Sequence, residues 1–217
     1  MCLMRRMHCY VDHFLKLKLK KLSDKWKKNK AAGPDKIPIE FYQNCWEIDR
    51  LDIIQLFDDF NNQKVNISRL NYGIITLLPK VKEASKIQQF RPICLLNCLY
   101  KLITKTLTLR LESVADKLIR STQTAFMKNR NITLGIMCLH EILHETKRRN
   151  EIGIILKLDF ENAYDKVNWK LLFECLEKRG FNKKWCDWIR QVVTGGTVSV
   201  KVNNNVGPYI KSYKGVR

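Results

Sequence analysis

Apolar and polar positions along this chain follow two periods, and each stretch predicts a different element. Residues 39–61 place Phe41, Trp46, Leu51, Ile54, Leu56, Phe57 and Phe60 at helical spacing, which predicts one helix. Tyr72 to Leu78 (YGIITLL) is a short β-branched run ended by Pro79, and Phe90 to Leu96 (FRPICLL) is a second, so both predict strands. Asn97 to Ile119 reads as a long helix, Ser121 to Asn131 as a polar loop, and Ile132 to Lys147 as another helix. Ile152, Ile154, Ile155, Leu156 and Leu158 follow a charged turn, and the run predicts a buried strand. Asn168 caps a helix that runs to Arg179 and is stopped by Gly180. Phe181 to Val193 is a further helix. Thr197 to Val202 alternates, then turns back through Asn203, Asn204 and Asn205 toward Tyr209 and Ile210, which makes a hairpin. Ala31 to Pro38 (AAGPDKIP) is a turn by its Gly-Pro-Asp and its second Pro. Phe14 to Lys20 alternates with period two, while Leu15, Leu19 and Leu22 also fit a helix, so the pattern there leaves both open.

Charge adds a partner class. The chain of 217 residues carries 40 Lys and Arg against 21 Asp and Glu, a formal net charge of +19. A chain so far from neutrality repels itself unless a polyanion compensates, and nucleic acid is the first partner to expect. Ten of these cations lie in residues 1–30, against Asp12 and Asp24 alone. Eight cysteines (2, 9, 45, 94, 98, 138, 175, 186) include no C-x2-C pair, which disfavours a zinc module. Met1 to Tyr10 has no apolar core of a secretory signal, so the thiols are expected reduced in an intracellular protein, nuclear or cytoplasmic and not secreted. No stretch reaches the roughly 18 apolar residues of a membrane span.

Two places carry candidate chemistry. Asp159 ends the apolar run 152–158, and a carboxylate at a strand end emerges at the rim of a sheet, where ligands and metals gather. Asp165 follows six residues later. Separately, His140-Glu141-Ile142-Leu143-His144 is H-E-x-x-H on a predicted helix, the zinc-protease spacing that puts two His on one face with Glu141 as base. A third ligand is needed, and the remaining histidines are His8 and His13, in the irregular N-terminal segment. The metalloprotease is therefore the distant alternative, and no zinc is expected.

The motifs converge on one family. Asp159 to Asp165 (DFENAYD) has the form D-F-x-x-A-[FY]-D and resembles motif A of reverse transcriptases from non-LTR (LINE-type) retrotransposons. Ala31 to Asp35 resembles the A-P-G-P-D-G block that opens the fingers, with Ala32 in place of the usual proline and Lys36 in place of the usual glycine. Ile74 to Lys82 and Phe90 to Asn97 resemble the fingers strands, and Ser121 to Asn131 resembles the polar block S-x-x-Q-x-[AG]-F-x-x-x-R. The blocks stand in the family's order over residues 31–217, and their wording is closest to plant members.

The resemblance implies an α+β fold, the fingers and partial palm of a right-hand polymerase. Residues 1–30 are then an irregular basic N-terminal segment, 31–150 the fingers and fingers–palm connection, and 151–217 the N-terminal part of the palm. It implies an RNA-directed DNA polymerase acting on an RNA template, a DNA primer and deoxynucleoside triphosphates, with two Mg²⁺ ions about 4 Å apart. Asp159 is by resemblance the first metal-bridging carboxylate, with the Phe160 carbonyl as a further ligand. Lys80 and Arg91 grip the triphosphate, an Arg through its rigid donor fork and a Lys as a point charge. Tyr164 takes the position whose aromatic ring excludes a 2′-hydroxyl. Gln123 and Arg130 contact template or primer, or else hold their own loop by hydrogen bonds. Asp165 and Trp169 brace the palm. The family's [FY]-A-D-D hairpin has no counterpart, since Asp58-Asp59 falls upstream inside a helical pattern. Tyr213 to Arg217 resembles the opening of motif B, G-[LV]-R-Q-G-D-P-x-S-P, and stops before its glutamine. The expectation is a chain truncated within motif B, inactive alone because one carboxylate cannot hold two Mg²⁺ ions, and marginally stable because the missing half-palm leaves an open sheet edge and unburied apolar faces. The alternative is a non-catalytic basic remnant that binds nucleic acid.

Overall fold

The computed structural model describes residues 19, 20, 24, 26–160 and 163–216. Most of the basic N-terminal segment, with its period-two run, lies outside the described residues, as do Glu161, Asn162 and Arg217. The chain is mixed α+β. It divides into two compact units, residues 1–106 with 164–217, and residues 107–163.

The first unit is built on a five-stranded sheet. Strand β1 (Tyr72–Pro79) pairs antiparallel with β2 (Phe90–Leu96), from Gly73 opposite Leu96 to Pro79 opposite Phe90. On its other edge β1 runs parallel to β3 (Thr197–Val202), Tyr72 opposite Thr197 through Ile75 opposite Val200. The hairpin expected after Val202 forms with β4 (Asn205–Val206), and β5 (Ile210–Lys211) pairs back onto β3. Asn203 and Asn204 take φ of 46° and 68°, the left-handed pair that a tight hairpin turn demands and that Asn tolerates.

The predicted helix over 39–61 is two helices, α1 (Ile39–Asn44) and α2 (Trp46–Asn61), interrupted at Cys45. The buried face is also different from the expected one. Ile39, Tyr42, Trp46, Ile53, Phe57 and Phe60 are buried, whereas Phe41 and Leu51 are exposed. The spacing of that buried set continues in phase across the break, so one core-facing stripe serves both helices. Helix α3 (Cys98–Leu118) follows β2 directly and buries Tyr100, Leu102 and Ile103.

Helix α5 (Trp169–Lys178) starts where expected, and α6 (Lys183–Val193) starts two residues after the expected Phe181; α4 (Ile132–Arg148) belongs to the second unit. Asn168 accepts from Leu171 N–H at 3.3 Å and Asn182 from Trp185 N–H at 2.8 Å, which satisfies amides that a helix start leaves open. Gly180 closes α5 at φ 79°. Trp188 stacks on Phe60 at 6.4 Å and donates Nε1–H to Asn61 O, while Arg190 lies over the Phe173 ring at 4.1 Å. The Val192 carbonyl accepts from Tyr100 Oη at 2.7 Å and from Asn71 Nδ2 at 3.0 Å, so α3, α6 and the entry to β1 meet at one buried oxygen.

The second unit carries the remainder of α3, the polar loop and α4 (Ile132–Arg148), capped by Asn131 through Thr133 N–H at 2.9 Å. No residue of α4 is buried. The buried strand expected over 152–158 is not present. Residues 151–160 have no secondary structure and every one is exposed, Ile152 at 101% and Ile154 at 94%. The reason is physical. An apolar run of this kind is stable as a strand only when neighbouring strands satisfy its backbone and side chains cover both faces. Among the described residues no strand pairs with it.

Candidate functional site

The tip of the β1–β2 hairpin positions the two candidate triphosphate cations. The ladder continues one step past β1, with Lys80 N–H donating to Gln89 O at 2.7 Å. Arg91 stands opposite Leu78. With side chains alternating every residue, Leu78, Lys80 and Arg91 fall on one face of the ribbon. Lys80 Nζ donates to Gln88 O at 2.8 Å. The connecting loop is fixed by Gln89, whose Oε1 accepts from the N–H groups of Ser85 and Lys86, each at 2.9 Å. Among the described residues neither Lys80 nor Arg91 is in an ion pair. The hairpin therefore offers two cations at an exposed tip.

The base of this region is held by residues whose roles are less apparent in sequence. Gly33 packs so closely on the β2–α3 junction that a Cβ there would stand 2.6 Å from Asn97 N, Asn97 Oδ1 and Leu96 C. Asn97, buried, accepts from Asp35 N–H through Oδ1 at 3.2 Å and donates through Nδ2 to Leu70 O at 3.1 Å. Asp35 Oδ1 in turn accepts from Ile37 N–H at 3.1 Å. Lys36, where the related blocks carry glycine, has φ of 61°, and this explains why glycine suits the position. The A-A-G-P-D-K block is thus a turn locked onto the end of β2.

Tyr164 to Trp169 is clasped to the last described residues. Trp169 Nε1–H donates to Gly215 O at 2.7 Å, Gly215 N–H to Val167 O at 2.9 Å, and Val216 N–H to Tyr164 O at 3.0 Å. Gly215 has φ of 87°, and a Cβ on it would sit 2.8 Å from Asp165 O. The end of the motif A-like segment and the start of the motif B-like segment are one locked turn, held in part by the Trp169 indole. The Tyr164 side chain stays exposed.

Asp159 and Phe160 lie in the exposed segment 151–160 of the second unit. Their carboxylate and carbonyl are oxygen donors of the kind hard cations take. Among the described residues, however, no three His, Cys, Asp or Glu side chains converge on a common point, so the described geometry does not assemble a metal centre. His140 and His144 are likewise exposed on α4 and have no third ligand among the described residues.

In the polar loop, Gln123 and Arg130 are brought together. Arg130 Nη1 donates to Arg120 O at 2.6 Å and Gln123 O at 2.9 Å, and Nη2 to Ile119 O at 3.1 Å and Asp116 Oδ1 at 3.0 Å. Gln123 Nε2 donates to Ala125 O at 3.2 Å. The guanidinium thus caps the carbonyls just beyond α3, which is the loop-holding alternative for this residue. Among the described residues no helix is long and apolar enough to cross a membrane.

Comparison with known proteins bears on the same span. A family model described as reverse transcriptase (RNA-dependent DNA polymerase) matches residues 78–217, which include the hairpin cations, the polar loop, the Asp159 segment and the clasp. The chain is also 27% identical over 190 residues to the "Transposon TX1 uncharacterized 149 kDa protein" of Xenopus laevis, across 87% of this chain and 14% of that protein. The chain spans only that small share of the relative's length.

Proposed function

The chain belongs to the reverse transcriptase (RNA-dependent DNA polymerase) family, and on that premise we propose that it forms the fingers and the first part of the palm of an enzyme that copies non-LTR retrotransposon RNA into DNA. The family generally works with divalent metal ions. The observation that carries the proposal is the clasp, which ties the end of the motif A-like segment to the start of the motif B-like segment by three hydrogen bonds. Lys80 and Arg91 would meet the triphosphate from the hairpin face. The Tyr164 ring would set the limit at the 2′ position of the sugar. Asp159 and the Phe160 carbonyl would supply two oxygen ligands of a Mg²⁺ site that needs further carboxylates. Gln123 and Arg130 would shape the loop that lies along template or primer.

The test is nucleotide binding by the chain itself. Arg91→Ala and Lys80→Ala should each weaken a deoxynucleoside triphosphate about tenfold, the scale of one charge-assisted contact. Binding of an RNA–DNA primer–template should fall linearly on a log–log plot against salt. Unchanged triphosphate affinity in both variants would remove these residues from the site.

A second reading is favoured by one observation, the fully exposed and unpaired segment that carries Asp159. On that reading the chain binds nucleic acid without chemistry. It predicts salt-dependent binding that is indifferent to Asp159→Ala and to Mg²⁺.

A further inference from the structure

A cavity of about 330 Å³ opens in the first unit, away from the β1–β2 hairpin tip in sequence and lined by different residues. Its wall is Trp26, Ala31, Ile39 and Cys98, and Lys27, Lys30 and Lys101 complete the lining. The size falls within the roughly 300–1,000 Å³ of small-ligand sites. The wall is built rather than incidental. Gln43 Nε2 donates to Trp26 O at 3.3 Å and Asn29 N–H donates to Glu40 Oε1, so α1 pins the 26–31 segment along its length. Gly33, pressed on Asn97, fixes the far end of that segment against the start of α3.

The chemistry of the lining is selective. Ile39 and Cys98 are buried, and burial pushes the Cys98 thiol up, so the floor is neutral. Three lysines line it, and among the described residues none of their side chains is in an ion pair or hydrogen bond. No carboxylate lines the cavity. Asp35 accepts from Ile37 N–H at 3.1 Å and Glu40 from the Asn29 amide, and both act on the Cys98 thiol from outside the lining. Cys98 is the first residue of α3, so the positive end of a 21-residue helix adds to the field. An indole, an apolar floor and three lysines in one lining fit a flat ring that carries phosphate.

We propose that this cavity is a second, independent site that binds a nucleoside phosphate, its base against Trp26 and its phosphates held by Lys27, Lys30 and Lys101. The phosphate-bearing nucleoside is either a free nucleotide or the 5′-phosphorylated end of a strand.

The proposal is tested on the full chain by calorimetric titration with ADP in the absence of divalent metal, with adenosine and pyrophosphate as separate controls. ADP should bind more than tenfold tighter than either control. Lys30→Gln and Lys101→Gln should each weaken it about tenfold, and Ala31→Trp, which fills the cavity, should abolish it. Lys80→Gln and Arg91→Gln should leave it unchanged, which separates this site from the hairpin reading. Displacement of ADP by a 5′-phosphorylated oligothymidylate, and not by its unphosphorylated form, would assign the ligand as a strand end. No displacement by either would assign a free nucleotide. Absence of ADP binding at millimolar concentration would overturn the site. So would ADP binding that is lost through Lys80→Gln or Arg91→Gln while Lys30→Gln and Lys101→Gln retain it.

Discussion

Replacing Gly33 with alanine places one methyl group where the chain has no room for it. The new Cβ would meet Asn97 N, Asn97 Oδ1 and Leu96 C, all at 2.6 Å, roughly 1 Å inside ordinary contact. Two of these are backbone atoms at the end of β2, a position tied to β1 by the pair Gly73 and Leu96, so the strand end cannot simply turn aside. Overpacking of this sort costs about 1–3 kcal/mol. Pushing Asn97 away also loosens its bond from Asp35 N–H, which adds about 1 kcal/mol. The sum, about 2–4 kcal/mol, is a large share of the roughly 5–15 kcal/mol that stabilises a domain. Lys36→Gly, in the same turn, has the opposite sign. Its φ of 61° costs an L-residue about 1 kcal/mol, and glycine relieves most of it. Urea unfolding followed by tryptophan emission reads both variants against the wild type. A Gly33→Ala midpoint within error of wild type would refute the account of this junction, as would a Lys36→Gly variant less stable than its parent.

Other outcomes follow from single contacts. Trp169→Phe removes the donor to Gly215 O and should speed amide hydrogen exchange at Gly215 and Val216 severalfold, with about 1–3 kcal/mol lost; unchanged protection would mean the backbone pairs hold the clasp alone. Arg130→Met withdraws four hydrogen bonds from the loop after α3 and should cost about 2–3 kcal/mol and lower helical circular dichroism, whereas an exchange that leaves both intact would point to a role outside the loop. Burial pushes the Tyr42 hydroxyl up to about 12, above its model-peptide 10.0. The folded state keeps its proton where the unfolded state loses it, so stability should fall between pH 10 and about 12, by no more than about 1 kcal/mol per pH unit. Tyr42→Phe should flatten that alkaline limb, and an identical limb in the variant would contradict it.

Local pattern made much of this fold legible and left its completion obscure. The β1–β2 hairpin, the helix after Asn97 and the Asn-capped helices α5 and α6 were readable because each is decided by periodicity and by residues adjacent to it. The segment 152–158 has an equally strong apolar pattern, but a strand is made by its neighbours, and pattern alone does not provide them. The stripe on α1 and α2 was misjudged because Ile39, Tyr42 and Ile53 fit helical spacing as well as Phe41 and Leu51 do, and only packing chooses between them. At the candidate site, Lys80 and Arg91 were visible as cations at strand ends. Asn97 and Asn71 were not, since a buried amide joining segments far apart in sequence leaves no local mark. A signal existed for Asn97, a lone polar residue closing an apolar strand.

The proposed role of Asp159 in a polymerase active centre is decided by RNA-templated extension of a DNA primer in Mg²⁺, run with the protein its transcript encodes and with its Asp159→Ala variant. Template-dependent extension should appear and should drop at least about a thousandfold in Asp159→Ala, a loss of roughly 4 kcal/mol of barrier lowering. Extension that survives Asp159→Ala would rule that role out.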